Sequence, residues 1–274
     1  MALSSDSFAF VKDLIRRRSA IVLECGKEYL VESRLAPLAK TRDYPSIDAM
    51  ICAIKRIPNA SIERDIIDAM TTNETSWFRD KMPFDALAQV VLPEVIAKKR
   101  EDRQIKIWCA ACSSGQEPYT IAMTVLEQFP QLKDWQISIL GTDISREMVT
   151  RSQEGKYGQI EMNRGLPAHL LVKYFEKQGL SWKIKPEVSR MCEFRELNLI
   201  ENWGLLPRMD IIFIRNVLIY FDVETKKKIL ASMTRVLQPW GYLFLGGAET
   251  TLNLDVGLER VQLDRAGCYR LATK

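Results

Sequence analysis

From residue 105 onward the chain alternates short apolar runs with longer stretches of helical spacing, and this alternation constrains the fold more than any other feature. "IKIWCA" precedes a helical pattern in "EPYTIAMTVLEQF", and "WQISILGTD" precedes one in "SREMVTRSQEG". "MCEFREL" and "DIIFIRNVLIYF" follow, then a helix in "VETKKKILASMTRVL", then "GYLFLGG" and "AGCYRLA". Strands this uniformly apolar need cover on both faces, and helices between successive strands supply it. The pattern predicts an α/β fold around a parallel sheet. No helical pattern separates the last two runs, so one of them suits an antiparallel place. Between the second and third runs, "HLLVKYFEKQG" reads as helix and "LSWKIKPEVSRMCEF" alternates like a hairpin. An inserted β-subdomain is therefore expected at about 176–196.

Ahead of the sheet the texture is helical. Phe8, Val11 and Ile15 share one face with Leu14 beside them, and Ile47, Met50, Ile51 and Ile54 recur at helical spacing behind Ser46, a suitable N-cap. "SIERDIIDAM" and "DALAQVVLPEVIAKKRE" supply two more helices. The expected division is a helical domain and connector over 1–80 and a sheet-bearing domain over 81–274. Five basic residues of the helical part, Arg34, Lys40, Arg42, Lys55 and Arg56, admit two readings: a solvated face that complements helix dipoles, or a surface for an acidic partner.

Composition excludes several classes. The 274 residues are 47% hydrophobic, enough for a full core. A net charge of +4, from 39 basic and 35 acidic residues, is far from that of a dedicated nucleic-acid binder, so no nucleic-acid partner is expected. There is no run of about 18 apolar residues to insert in a bilayer. The first basic cluster follows the short apolar stretch, the reverse of a secretory signal, so a cytoplasmic chain is the default; nothing in the sequence reads oligomeric state, and a monomer is the starting expectation. A single histidine, His169, weighs against Ser-His-Asp and Cys-His nucleophiles. Cys109 and Cys112 form a C-x-x-C, but Cys109 continues an apolar strand and no second ligand pair is near in sequence. No metal is expected.

Ligands of open parallel sheets sit beyond the carboxyl ends of the strands. After "IKIWCA" comes Ala111-Cys112-Ser113-Ser114-Gly115-Gln116-Glu117-Pro118, where small residues and a glycine would let a ligand approach the backbone. The nicotinamide fingerprint G-x-G-x-x-G is absent. Glu117 would repel a pyrophosphate at the helix start and attract an ammonium. The next strand ends at Asp143, whose carboxylate can accept hydrogen bonds from both ribose hydroxyls, at a spacing longer than dinucleotide folds use. These ends favour a nucleoside that carries an amino acid and no phosphate, which describes S-adenosylmethionine. The plainer alternatives are a helix-start acid for Glu117 and an N-cap for Asp143. Later strand ends add Asn198-Leu199 and Arg215-Asn216-Val217. An Asn can pair with adenine or a carboxylate, while Val217, Leu218 and Ile219 read as core.

One further run, "TTNETSWFRD" at 71–80, places short polar side chains, two adjacent aromatics and a cation between two helices. Together with "SSGQEPYTIAM", "GTDIS", "LNL" and "FIRNVLIYFD", in this order over nearly the whole chain, it resembles the CheR family of chemotaxis receptor methyltransferases. The resemblance implies a Rossmann-like S-adenosylmethionine-dependent methyltransferase domain with a small inserted antiparallel β-subdomain, preceded by a small all-α domain. It implies methyl esterification of glutamates on the cytoplasmic helices of chemoreceptors, leaving S-adenosylhomocysteine. On this resemblance Asn73, Thr75 and Arg79 line the cofactor site, Glu117 meets the methionine amino group, and Asp143 meets the ribose. Asn198 and Leu199 border the adenine; Ile214, Arg215 and Asn216 complete the pocket; Arg79 and Tyr220 lie near the transferring methyl. Trp77 and Phe78 would fill the join between the domains, and Asp80 would be structural, at a helix start. The basic helices, Arg34, Lys40, Arg42, Lys55 and Arg56 among them, would face acidic receptor helices. The segment between Phe175 and Cys192 is shorter than in members that grip a receptor's C-terminal pentapeptide and lacks their glycine-rich hairpin, so receptor binding without that tether is expected. The competing readings are a methyltransferase for another substrate and a non-catalytic adaptor that binds receptor or nucleotide.

Overall fold

The computed structural model describes residues 3–263 and 266–272, and the chain divides into two compact units. One holds the chain up to Thr72 together with Tyr220–Thr225; the other holds Asn73–Ile219 and the chain from Lys226 on.

The first unit is built on α1 (Ser5–Ser19), α2 (Glu28–Thr41), α3 (Ile47–Arg56) and α4 (Ala60–Met70). Side-chain caps fix three of the four starts. Ser4 accepts from Ser7 N, Ser46 from Ala49 N, and Asn59 from Ser61 N and Ile62 N. Each such cap stabilises its helix by about 1 kcal/mol. The faces read from spacing are the buried ones: Val11, Leu14 and Ile15 meet Met50, Ile51 and Ile54, with Val31, Leu35 and Ile66 completing the cluster. Three of the five basic candidates are engaged within this unit. Arg34 Nη1 donates to the carbonyls of Met70 (2.7 Å) and Thr71 (2.8 Å), closing the end of α4. Arg42 pairs with Asp65, and Lys55 pairs with Asp6 at 2.6 Å while lying over the Phe10 ring. Lys40 and Arg56 are exposed.

The second unit opens with α5 (Met82–Ala86) and α6 (Leu92–Lys98), joined by a widened π turn at Leu87–Val91. Pro93 has no N–H to offer the carbonyl four residues back and its ring crowds that oxygen, which accounts for the slip in the ladder just before it. Then come β1 (Gln104–Ala110), α7 (Gln116–Gln128), β2 (Gln136–Asp143), α8 (Arg146–Glu154), β3 (Lys156–Gly158), α9 (Gln159–Met162), α10 (Ala168–Tyr174), β4 (Phe175–Gln178), β5 (Ser181–Ile184), α11 (Pro186–Ser189), β6 (Cys192–Glu196) and β7 (Met209–Ile214). The chain ends with α12 (Val223–Val236), β8 (Leu237–Leu245), β9 (Leu258–Val261) and β10 (Gly267–Leu271).

Seven strands form one sheet in the order β6-β2-β1-β7-β8-β10-β9. The first five are parallel and β10 is antiparallel to β8. This is the Rossmann-like architecture, and β7, buried at every position and apolar except at Asp210, is its interior strand. β9 lies in the stretch that carries no helical pattern, where no strand was expected, and it pairs antiparallel with β10. The small antiparallel sheet, β3-β5-β4, spans 156–184 rather than about 176–196. Two local signals differ from the reading by spacing. The helix in "HLLVKYFEKQG" stops at Tyr174 and the remainder becomes β4, while Pro186 starts a helical turn where a hairpin arm was expected. β6 joins the large sheet beside β2.

Candidate functional site

β1 runs to β2 on one side, and the chain later returns to β1's other side as β7, so the direction of strand progression reverses between β1 and β7. At such a switch point the two outgoing loops part and leave a crevice. Ala110 is level with both Thr142 and Ile214, so the β1, β2 and β7 loops leave from a common rim.

The β1 loop is rigidly built. Ala111, Ser113 and Gly115 are all in left-handed conformations (φ 58°, 52° and 89°). Ser113 N donates to Asp143 Oδ2 (2.8 Å), Ser113 Oγ donates to the Asn73 carbonyl (2.7 Å), and Ser152 Oγ donates to the Ser113 carbonyl (2.9 Å). At Gly115 a Cβ would stand 2.9 Å from Ser152 Oγ. The glycine thus serves the close approach of α8, where the sequence suggested approach by a ligand. Gly141 similarly makes room for the Phe194 ring.

Charge meets across the crevice. Glu117, in the first turn of α7, accepts from Arg215 Nη1 at 2.7 Å. Arg215 Nη2 donates to Asp80 Oδ2 (2.7 Å) and to the Arg79 carbonyl (2.9 Å), and the guanidinium lies 5.6 Å above the Phe84 ring. The Arg215 side chain is only 2% exposed, yet among the described residues its Nε has no hydrogen-bond partner. Burial raises the Glu117 pKa; the charge and hydrogen bond of Arg215, and more weakly Arg79, oppose that rise, and Glu249 adds to it.

The connector that Arg215 grips is strained. Phe78, Asp80 and Lys81 have φ of 49°, 64° and 41°, and such conformations in non-glycine residues cost about 1–3 kcal/mol each. A guanidinium bound to both the Asp80 carboxylate and the Arg79 carbonyl offsets part of that cost. Further back, Trp77 N donates to the Arg164 carbonyl (3.1 Å), and its ring meets Tyr157 and Phe175 edge-on at 4.9 and 5.3 Å. Trp77 therefore belongs to the core of the second unit, beside the small sheet. Asp80 is a partner of Arg215, not only a residue ahead of a helix.

Asp143 is buried, and both its oxygens accept backbone hydrogen bonds, from Ser113 N and from Ser145 N (2.9 Å). Ser145, not Asp143, caps α8. Burial raises the Asp143 pKa and the backbone N–H groups oppose the rise. Asn198 Nδ2 donates to Glu201 (3.0 Å) and its Oδ1 accepts from Ile200 N (3.3 Å), so its amide is engaged in a local turn, with Leu199 buried behind it. Thr75 is half-buried, and Arg79 Nη1 donates to the Glu74 carbonyl at 2.8 Å. Ile214 is the buried last residue of β7, and Asn216 is left-handed at φ 59°. Tyr220 belongs to the first unit, where its carbonyl accepts from Val22 N. The structure thus gathers Asn73, Glu117, Asp143, Ile214, Arg215 and Asn216 at one rim.

Spacing missed Glu249. Its Oε2 accepts from Asn216 N (2.8 Å) and Gly246 N (2.7 Å), and its Oε1 accepts from Leu218 N (2.7 Å). An acid three residues beyond the last glycine-bearing strand end, Gly246, was the available signal. Cys109 and Cys112 are buried with thiol pKa values pushed well up, chiefly by desolvation, which makes both poor nucleophiles. Among the described residues no group of three His, Cys, Asp or Glu side chains is placed to hold a metal ion, and no helix is long and apolar enough to cross a membrane.

Residues 73–266 match the CheR methyltransferase SAM binding domain, and residues 6–71 match the CheR methyltransferase all-alpha domain. The chain is 39% identical to chemotaxis protein methyltransferase 1 of Pseudomonas aeruginosa, over 98% of this chain and 99% of that one. It is 41% identical to the chemotaxis protein methyltransferase of Vibrio parahaemolyticus (99% and 98%) and 42% identical to chemotaxis protein methyltransferase 1 of Vibrio cholerae (94% of each). With an all-α unit ahead of a sheet whose switch point presents a buried acid and a buried guanidinium, the chain belongs to the CheR family of S-adenosylmethionine-binding methyltransferases.

Proposed function

We propose that the protein methylates glutamate side chains on the cytoplasmic helices of chemoreceptors, forming methyl esters that adjust receptor output. The observation that carries this reading is the Glu117–Arg215 pair at the switch point, its guanidinium almost wholly buried and its carboxylate largely so. It offers an anion for an ammonium and a cation for a carboxylate, the two ends of an amino acid. The unpartnered Arg215 Nε and the buried Asp143 carboxylate at the next strand end fit the same ligand.

When bound, S-adenosylmethionine supplies a sulfonium methyl that a carboxylate oxygen can take up while the bond pair passes to sulfur, so no proton has to move. Glutamate is already ionised near neutral pH, and a site without a histidine base is adequate for it. Glu117 holds the methionine ammonium, Asp143 the ribose hydroxyls, and Asn73 and Thr75 border the site from the connector. The Asn198-Leu199 segment meets adenine through its backbone and the Leu199 side chain, because the Asn198 amide is already engaged. Ile214 and Asn216 floor the pocket beside Arg215. Arg79 orients a carboxylate. Lys40 and Arg56, exposed on the helical unit, face acidic receptor helices, with Arg34, Arg42 and Lys55 contributing mainly to the unit's own structure.

The test is transfer of labelled methyl from S-adenosylmethionine to receptor-containing membranes, followed by mild base. Release of labelled methanol is expected, and equal labelling of receptors with and without their C-terminal pentapeptide. Base-stable label would point to an N-methyl product, and no incorporation to an adaptor.

A pH dependence follows from the same site. Glu117 attracts an ammonium only when ionised, and its folded pKa lies above the ordinary 4.5. Affinity for S-adenosylhomocysteine is therefore expected to fall as pH drops through a midpoint above that value. Calorimetry across the acid range reads this directly, and an affinity that stays level down to pH 4.5 would remove Glu117 from the role.

A further inference from the structure

We propose that Glu249 is a positioning residue for the cofactor site, acting through the loop that presents Arg215. Among the described residues no hydrogen bond joins Glu249 to the Glu117–Arg215–Asp80 network. Its carboxylate instead receives three backbone N–H groups, two from the loop after β7 (Asn216 and Leu218) and one from the end of β8 (Gly246), all at 2.7–2.8 Å. One buried side chain thus ties together two neighbouring strand ends of the rim.

The geometry explains why an acid is needed. Asn216, left-handed (φ 59°) directly after Arg215, lies past the end of β7 at Ile214, so its N–H has no place in the ladder and needs another acceptor. Leu218 N, two residues on, needs another. A carboxylate with two oxygens and several lone pairs can take both donors and still accept from Gly246, whereas an amide would present an N–H to one of them. Space is equally fixed. A Cβ on Gly246 would lie 2.7 Å from Glu249 Oε2 and 2.8 Å from both Asn216 N and Nδ2. The loop can hold this turn only with the glycine and the acid both in place, and the turn fixes where the Arg215 guanidinium emerges.

The inference is tested on the full chain by calorimetry with S-adenosylhomocysteine, with thermal melting in parallel. Glu249→Gln is expected to weaken binding at least tenfold. Gly246→Ala presses on the same contacts without removing the carboxylate and is expected to act in the same direction. In an Arg215→Lys background, Glu249→Gln should add less than threefold, since the loop's product is then already lost. Affinity within twofold of the parent in either variant that folds, whatever its melting temperature, overturns the proposal. So does a full tenfold effect retained in the Arg215→Lys background. Failure of both variants to fold assigns the carboxylate to folding alone and overturns it equally.

Discussion

Replacing Arg215 with methionine is expected to destabilise the protein by about 3–5 kcal/mol and to abolish binding of S-adenosylhomocysteine. The side chain is almost wholly buried and is the hydrogen-bonded counter-charge of Glu117, itself largely buried. Methionine fills similar volume above Phe84, so the loss is electrostatic. Glu117 is left as an uncompensated buried carboxylate, and the strained Arg79-Asp80 turn loses the donor that holds it. The sign of the pH dependence identifies the cause. With Arg215 gone, the folded pKa of Glu117 rises further above its unfolded value. The unfolded chain then releases its proton at lower pH than the folded one, and stability falls as pH rises between the two values. Denaturant midpoints should show the variant closest to the parent at acid pH and furthest from it at neutral pH. Adding Glu117→Gln should recover most of the stability at neutral pH and none of the cofactor binding. A pH-independent loss that Glu117→Gln does not relieve would mean that the guanidinium matters only as packing.

Gly165→Ala is the second large effect, expected to cost about 2–5 kcal/mol through two additive causes, left-handed strain and overpacking. Gly165 sits at φ 94°, and a Cβ there would stand 2.2 Å from the Trp77 carbonyl oxygen, a backbone atom that cannot rotate away. Relief requires the connector to move, and the neighbouring bond from Trp77 N to the Arg164 carbonyl moves with it. Both stability and cofactor affinity should therefore fall. Gly179→Ala separates the causes, because Gly179 has a similar backbone (φ 63°) with no atom within 4 Å of its Cβ position. It should show the strain alone, about 1 kcal/mol, with affinity unchanged. Equal losses at the two glycines would deny the contact with Trp77 any special part.

Local pattern by itself determined the elements whose burial is periodic or continuous. The faces of α1 and α3, the Ser46 cap, the runs that became β1, β2 and β7, and the helices α7 and α12 all follow from spacing, because the interactions that make them lie within a few residues. Two acids of the rim, Glu117 and Asp143, were legible for a related reason: a parallel sheet delivers its strand ends to one edge, so the residue after each strand can be named before the fold is known. Tertiary structure decided the rest. The β4 strand inside an apparently helical run, and β9 in a stretch without periodicity, exist because partner strands receive their hydrogen bonds. Arg215 and Glu117 are 98 residues apart, Arg215 and Asp80 are 135 apart, and Glu249 reaches back 33 residues to Asn216. Sequence could place Glu117 and Arg215 at strand ends, though not Asp80 or Glu249, and which charge neutralises which is set by the order in which strands enter the sheet. That order is fixed by burial of the whole core, an energy no short window of residues contains.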